Sequence, residues 1–204
     1  MNTLLFILIA YLLGSIPTAV WVGKSWYNID VREHGSKNAG ATNTFRVLGK
    51  KPGIIVLIID IIKGAIASLL PFYFYSGTTD QVVNLQIITS IVAVVGHVFP
   101  CFANFKGGKG VATSLGVIIG LHPSAALICM AVFLIVFLST HFVSLGAMLG
   151  ALTFPLSIVF VFHTQSFWLV VFSHVLAFLV ILAHRKNIQR LLKGEESKMR
   201  VFKK

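Results

Sequence analysis

Apolar runs follow one another almost without pause along the 204 residues, separated by a few short polar segments. Nothing else limits the available folds so strongly. The hydrocarbon core of a bilayer offers no water to backbone N–H and C=O groups, so a spanning chain must pair them internally, and a helix does so with ~20 residues. Runs of suitable character cover 3–22, 53–75, 85–101, 111–121, 124–140, 144–162 and 166–184. We therefore expect an all-α integral membrane protein of seven transmembrane helices, forming a single domain over 1–204. The run 111–121 rises only about half the ~30 Å core, so that span must begin inside the membrane plane or cross a thin bilayer. Gly14, Ser15 and Pro17 interrupt the first span, either as a packing kink or to face a polar cavity.

With 56% hydrophobic and 11% charged residues, a soluble domain is excluded. The formal charge of +11 suggests nucleic acid at first, but the cations lie where membrane orientation requires them. They gather in 24–51, at Lys106 and Lys109, and in a tail where Arg185, Lys186, Arg190, Lys193, Lys198, Arg200, Lys203 and Lys204 face only Glu195 and Glu196. The connection 76–84 carries Asp80 and no cation. By the positive-inside rule the N-terminus lies outside and the C-terminus in the cytoplasm, and no nucleic acid is bound. No charge precedes the first run and Lys24 follows it, which favours a retained span over a signal peptide. Cys101 and Cys129 read as free thiols, and the histidines and carboxylates show no metal-ligand spacing, so neither a disulfide nor a metal site is expected.

The most informative polar segment is GHVFPCFANFKGGKGVAT, Gly96 to Thr113. Gly107, Gly108 and Gly110 free the backbone to curl N–H groups around an anion, Lys106 and Lys109 add charge, and a helix starting at Val111 would point its positive end the same way. It is not a Walker A loop, because Gly110 follows Lys109 where Ser or Thr is needed and no strand precedes it. The plain alternative is a turn whose lysines only orient the chain. A second polar segment, VREHGSKNAGATNTFRVLGKKPG, sets the short hydrogen-bonders Ser36, Asn38, Thr42 and Asn43 among Arg32, Lys37 and Arg46 and reads as a polyanion site. Arg46, able to grip phosphate with two parallel bonds, is its strongest direct contact. Asp60 and Lys63, three apart within a span, read as a structural pair. His97 is either a loop anchor or a proton carrier. His184 and Asn187 share a helical face where the last span leaves the lipid. On the expected topology these segments and the Thr140–Val143 turn all reach the cytoplasmic side.

In order and topology, GSIPTA, GSKNAGATNTFRVLGKKPG, GHVFPCFANFKGGKGVAT and HRKNIQRLLKGEE resemble the bacterial membrane glycerol-3-phosphate acyltransferases that use acyl phosphate as donor. The resemblance covers essentially the whole chain. It implies that Arg46, Lys106, Ser144, His184 and Asn187 hold glycerol 3-phosphate. It implies further that Gly107, Gly108 and Lys109 belong to a phosphate-binding loop for one of the two substrates, and that Ser36 and Asn38 suit the acyl phosphate. Thr42 and Asn43 match the same motif, and Glu195 is expected to brace the site. His184, Asn187 and Ser36 are the expected catalytic groups. The implied partners are the two substrates and membrane lipid, with no cofactor and no obligate protein partner, and the implied location is the bacterial cytoplasmic (inner) membrane. An acyl groove is expected to open near Gly14 and Pro17. An organic-phosphate transporter is the competing class, disfavoured by an outer side with almost nothing polar and by the lack of an internal repeat.

Overall fold

A computed structural model describes residues 2–199, so the tail cations Arg200, Lys203 and Lys204, expected on the cytoplasmic side, lie outside the described residues. The chain forms two compact units, Met1–His122 and Pro123–Lys204. Among the described residues, regular structure is entirely helical.

The first unit contains α1 (Thr3–Ser15), α2 (Thr18–Tyr27), α3 (Ala41–Leu48), α4 (Lys50–Phe74), α5 (Thr79–Val98) and α6 (Val111–Leu121), with single 3₁₀ turns at Val31–Glu33 and Cys101–Ala103. Its centre is α4, against which α1, α2, α3, α5 and α6 all pack. The exposed stripe of α4 is Ile54, Ile58, Ile62 and Ile66, while Asp60, Lys63 and Ser68 are buried. That is a water-soluble helix turned inside out, as lipid as solvent demands. Lipid also removes the hydrophobic drive for helices to associate, leaving close packing to hold them. The α4–α6 seam meets this with glycines: a Cβ at Gly64 would overlap the Thr113 carbonyl oxygen, and one at Gly116 the Ile61 carbonyl oxygen. Gln86 adds a hydrogen bond from α5 to the Ser68 carbonyl at 2.9 Å.

The second unit contains α7 (Pro123–Thr140), α8 (Val143–Leu156), α9 (Phe167–Ala183) and α10 (Arg185–Leu192). A π-helical turn, Ser157–Val161, continues α8 just after Pro155. There the Phe162 N–H donates to the Ser157 carbonyl at 2.9 Å. The proline ring removes one donor from the ladder, and a wider turn re-pairs the chain. Phe154 and Phe172 meet edge-to-face at 6.3 Å to form the core between α8 and α9.

Among the described residues, four helical segments are long and apolar enough to cross a membrane: Lys50–Phe74, Thr79–Ala103, Pro123–Thr140 and Val143–Val161. The pairs α1–α2, bent by 42°, and α9–α10, bent by 59°, bring the total to six if each is one span. Helix α6 has 11 residues, about half a crossing at 1.5 Å per residue. It starts at Val111, where the glycine-rich loop ends, as expected. Helix α5 begins at Thr79 rather than Leu85, because Thr78 and Gln81 cap it reciprocally: the Gln81 N–H donates to Thr78 Oγ1 (3.4 Å) and the Thr78 N–H to Gln81 Oε1 (3.0 Å). The break between α1 and α2 is packed rather than open. Ser15 is fully buried, and a Cβ at Gly14 would overlap the Ala93 carbonyl oxygen, so the acyl-groove opening expected at Gly14 has no room there.

Candidate functional site

In the first unit the two polar segments adjoin. Arg32 grips Asp30 with Nε (2.9 Å) and Nη2 (2.7 Å) and donates from Nη1 to the Ala103 carbonyl (2.9 Å), tying the first segment to the approach of the second. The hydrogen bonds from Arg32 hold the Asp30 carboxyl well below the usual carboxylate range despite its partial burial, and the same partnership raises the guanidinium. Arg32 is thus a structural cation, not part of the polyanion site expected from sequence. Asn43, buried in the first turn of α3, is also occupied: Nδ2 donates to the carbonyls of Val31 (2.7 Å) and His34 (3.1 Å), and Oδ1 accepts the Ser36 N–H (2.8 Å). Gly35, at φ +58°, faces this amide so closely that a Cβ would collide with Asn43 Oδ1. Asn43 therefore shapes the turn that presents Ser36, whose side chain is exposed. Thr42 and Arg46, four apart on α3, share one face of that helix, half-buried and exposed respectively. Asn38 is half-buried in the same loop.

The glycine–lysine loop is organised differently from the cradle expected of it. The amides of Gly107 and Gly108 donate to the carbonyls of Val98 (3.1 Å) and His97 (3.2 Å), and that of Lys106 to Ala103 (3.2 Å). The Gly107 and Gly108 N–H groups satisfy the last carbonyls of α5, and that of Lys106 closes the 3₁₀ turn after it, instead of curling around an anion. The glycines serve close approach: a Cβ at Gly107 would overlap the His97 carbonyl oxygen and one at Gly108 the His97 Nε2, with the Ala39 carbonyl 3.1 Å away on the first polar segment. Gly110, at φ +78°, caps α6, whose first-turn N–H groups form its positive end. Lys106 is exposed and Lys109 half-buried. His97 is a loop anchor in this arrangement.

In the second unit Ser144 lies in the first turn of α8, and His184 and Asn187 at the bend from α9 to α10; all three are buried. His184 Nδ1–H donates to the Val180 carbonyl (2.7 Å), which can only accept, and this bond fixes the ring's orientation. The group that joins Ser144 to Asn187 is Glu196. Its Oε1 accepts from Ser144 Oγ (2.6 Å) and Asn187 Nδ2 (2.7 Å), and its Oε2 from Arg190 Nε (2.7 Å). Burial works to raise this carboxyl, but the hydrogen bonds from Ser144, Arg190 and Asn187 outweigh it and hold the group below its ordinary value. Glu195, from which bracing was expected, is exposed, and its backbone N–H donates to the Arg190 carbonyl (2.8 Å). Residues 195–199 fold back: the Met199 N–H donates to the His141 carbonyl (2.8 Å), and Lys198 Nζ lies 5.5 Å from the centre of the Phe142 ring.

Apolar spans with exposed isoleucines and inward polar groups define a multi-pass membrane protein. The chain belongs to the glycerol-3-phosphate acyltransferase family, whose model matches residues 4–194, and it is an acyltransferase of lipid biosynthesis rather than a carrier. It is 46% identical to the glycerol-3-phosphate acyltransferase of Fusobacterium nucleatum, with 96% of this chain and 97% of that one covered, and 43% identical to that of Listeria monocytogenes, with 98% of each covered. Among solved structures it resembles PlsY (YgiH), an integral membrane glycerol 3-phosphate acyltransferase. The likeness to the glycerol 3-phosphate form has a TM-score of 0.87 at 38% identity, covering 97% of this chain and 96% of that one. The likeness to the lysophosphatidic acid form has a TM-score of 0.84 at 37% identity, covering 97% and 95%.

Proposed function

We propose that this protein transfers a fatty acyl group from acyl phosphate to the 1-hydroxyl of glycerol 3-phosphate, releasing lysophosphatidic acid and inorganic phosphate. The observation that carries this reading is the whole-chain likeness to one enzyme in two forms, with glycerol 3-phosphate and with lysophosphatidic acid, an acceptor and its acylated product. The donor is proposed from the motif resemblance and from the chemistry of the residues. Acyl phosphate is a mixed anhydride with a good leaving group, so the protein's tasks are positioning and stabilising negative charge.

In the proposed step the acceptor's hydroxyl oxygen attacks the acyl carbonyl carbon, the bond from that carbon to the phosphate oxygen breaks, and the departing phosphate takes the hydroxyl proton. No acyl-enzyme forms. Arg46, Lys106, Ser144, His184 and Asn187 are assigned to glycerol 3-phosphate, with Thr42 and Asn43 shaping the first motif. Ser36 and Asn38 are assigned to acyl phosphate. Gly107, Gly108 and Lys109 form the loop that presents Lys106 and the positive end of α6 to the acceptor's phosphate. Glu196 takes the bracing role, with Glu195 beside it. Both units belong to one acyltransferase domain of seven spans in the bacterial cytoplasmic membrane, counting α6 as the short one. Its N-terminus lies outside and its C-terminus and active site face the cytoplasm. No cofactor, metal or obligate protein partner is required.

The test is product formation by purified protein from glycerol 3-phosphate, with acyl phosphate and acyl-CoA as parallel donors. Lysophosphatidic acid is expected from acyl phosphate alone, and Lys106→Ala is expected to lower kcat/KM by about 100-fold, as loss of a charge-assisted phosphate contact should. Product from acyl-CoA would overturn the donor assignment. His184→Gln is expected to retain measurable turnover, because the donor's phosphate accepts the proton; complete loss in a folded, substrate-binding variant would make His184 the base instead.

A further inference from the structure

Inside the first unit lies a polar set that no step above uses. Asp60 and Lys63 are 1% and 3% exposed and pair at 2.8 Å. A buried ion pair is a costly way to fill a core, since apolar side chains of similar volume often do as well or better. What the pair touches is informative. Lys63 Nζ donates to the Ile16 carbonyl (2.8 Å), and Thr18 Oγ1 donates to Asp60 Oδ1 (3.1 Å), so the two charges hold the two sides of the α1–α2 break. The same carboxylate oxygen lies 3.7 Å from His97 Nδ1, and that nitrogen lies 3.1 Å from Thr113 Oγ1.

His97 is the last but one residue of α5, and it meets the glycine–lysine loop twice. Its carbonyl accepts the Gly108 N–H (3.2 Å), and its Nε2 fills the space where a Cβ on Gly108 would stand. Thr113, its hydrogen-bond partner, sits in the first turn of α6 just after the loop. One imidazole thus spans the loop from Gly108 to Thr113, and Asp60 stands behind it.

We infer that His97 is a positioning residue that sets the glycine–lysine loop and the start of α6 for the acceptor's phosphate, with the Asp60–Lys63 pair as its fixed support. This rests on the proposed assignment of the loop to glycerol 3-phosphate. A side chain that merely fills the core would be replaceable by an apolar one of like volume at the expense of stability alone. A positioning residue leaves a different signature: binding of one substrate weakens while the chemical step survives.

The experiment compares the full-length wild type, His97→Leu, His97→Asn and Thr113→Val in nanodiscs, measuring KM and kcat for glycerol 3-phosphate and hydrogen exchange of amides 106–110. His97→Leu is expected to raise that KM about tenfold or more with kcat within about threefold, and to speed exchange of the Gly107 and Gly108 amides about tenfold. His97→Asn, whose amide can stand near the Nδ1 position, is expected to restore KM to within about threefold of wild type. Thr113→Val removes only the hydroxyl, so it covers the case in which His97→Leu does not fold; it is expected to raise KM about threefold or more, with faster exchange. Unchanged KM and exchange in folded His97→Leu and Thr113→Val would overturn the inference, as would a fall in kcat at constant KM or His97→Asn failing as His97→Leu does. A wild type that makes no lysophosphatidic acid would refute the proposed function instead, and the exchange rates would then decide alone whether His97 holds the loop.

Discussion

Glu196 has two carboxylate oxygens and three side-chain donors to serve, and its ionised form satisfies all of them. Because its folded value lies below the ordinary 4.5, the unfolded chain binds more protons through that range. Its contribution is full above about pH 4.5 and is lost as pH falls through the folded value. Glu196→Ala should therefore destabilise the protein by about 2–3 kcal/mol at pH 7 by leaving buried donors without an acceptor, whereas Glu195→Ala should stay within about 0.5 kcal/mol. Thermal unfolding in detergent checks both, and Glu196→Gln should flatten the acid limb of the stability–pH curve. Adjacent glutamates in an aperiodic stretch look alike in sequence. Only the fold-back that brings Met199 to His141 decides which of them turns inward. The amides of Gly107 and Gly108 were illegible for a related reason: glycine tells where the backbone is free to go, not which acceptor it meets.

At the scale of elements, the apolar runs were readable because lipid imposes length and hydropathy together. Helices α7 and α9, and α8 taken together with its π-helical turn, fall within a residue or two of their expected limits. The start of α5 was not, since Thr78 and Gln81 are polar residues whose cap extends a helix beyond its apolar run. The seam between α4 and α6 depends on what is missing from Gly64 and Gly116 rather than on any attraction between side chains. Gly116→Leu should therefore separate these helices and abolish recovery of folded, monodisperse protein from membranes. Gly120→Ala, whose closest neighbour would be the Ser68 hydroxyl with the Ala65 carbonyl oxygen farther off at 3.2 Å, should cost less because a side chain yields more readily than backbone. Size-exclusion profiles of the two variants against wild type make the comparison.

For the whole molecule, the proposed orientation can be read by labelling. With Cys101 and Cys129 replaced, a cysteine at Lys37 or Lys193 should resist a membrane-impermeant maleimide in intact spheroplasts and react after lysis, while one at Gly77 should react in both. Reversed labelling would invert the topology. The division of charge that suggests this orientation was plain in the sequence, as was the Asp60–Lys63 spacing; what the spacing could not tell was which ends the pair holds. Lys63 sits at the carbonyl end of α1 and Asp60 beside the first residue of α2, so each charge meets the half-helix terminus of opposite sign. The pair therefore has a direction as well as a bond. Exchanging the two residues would conserve charge, spacing and pairing yet set both charges against like-signed termini, so the chain distinguishes Asp60–Lys63 from its mirror order much as an electrical connector distinguishes its two pins.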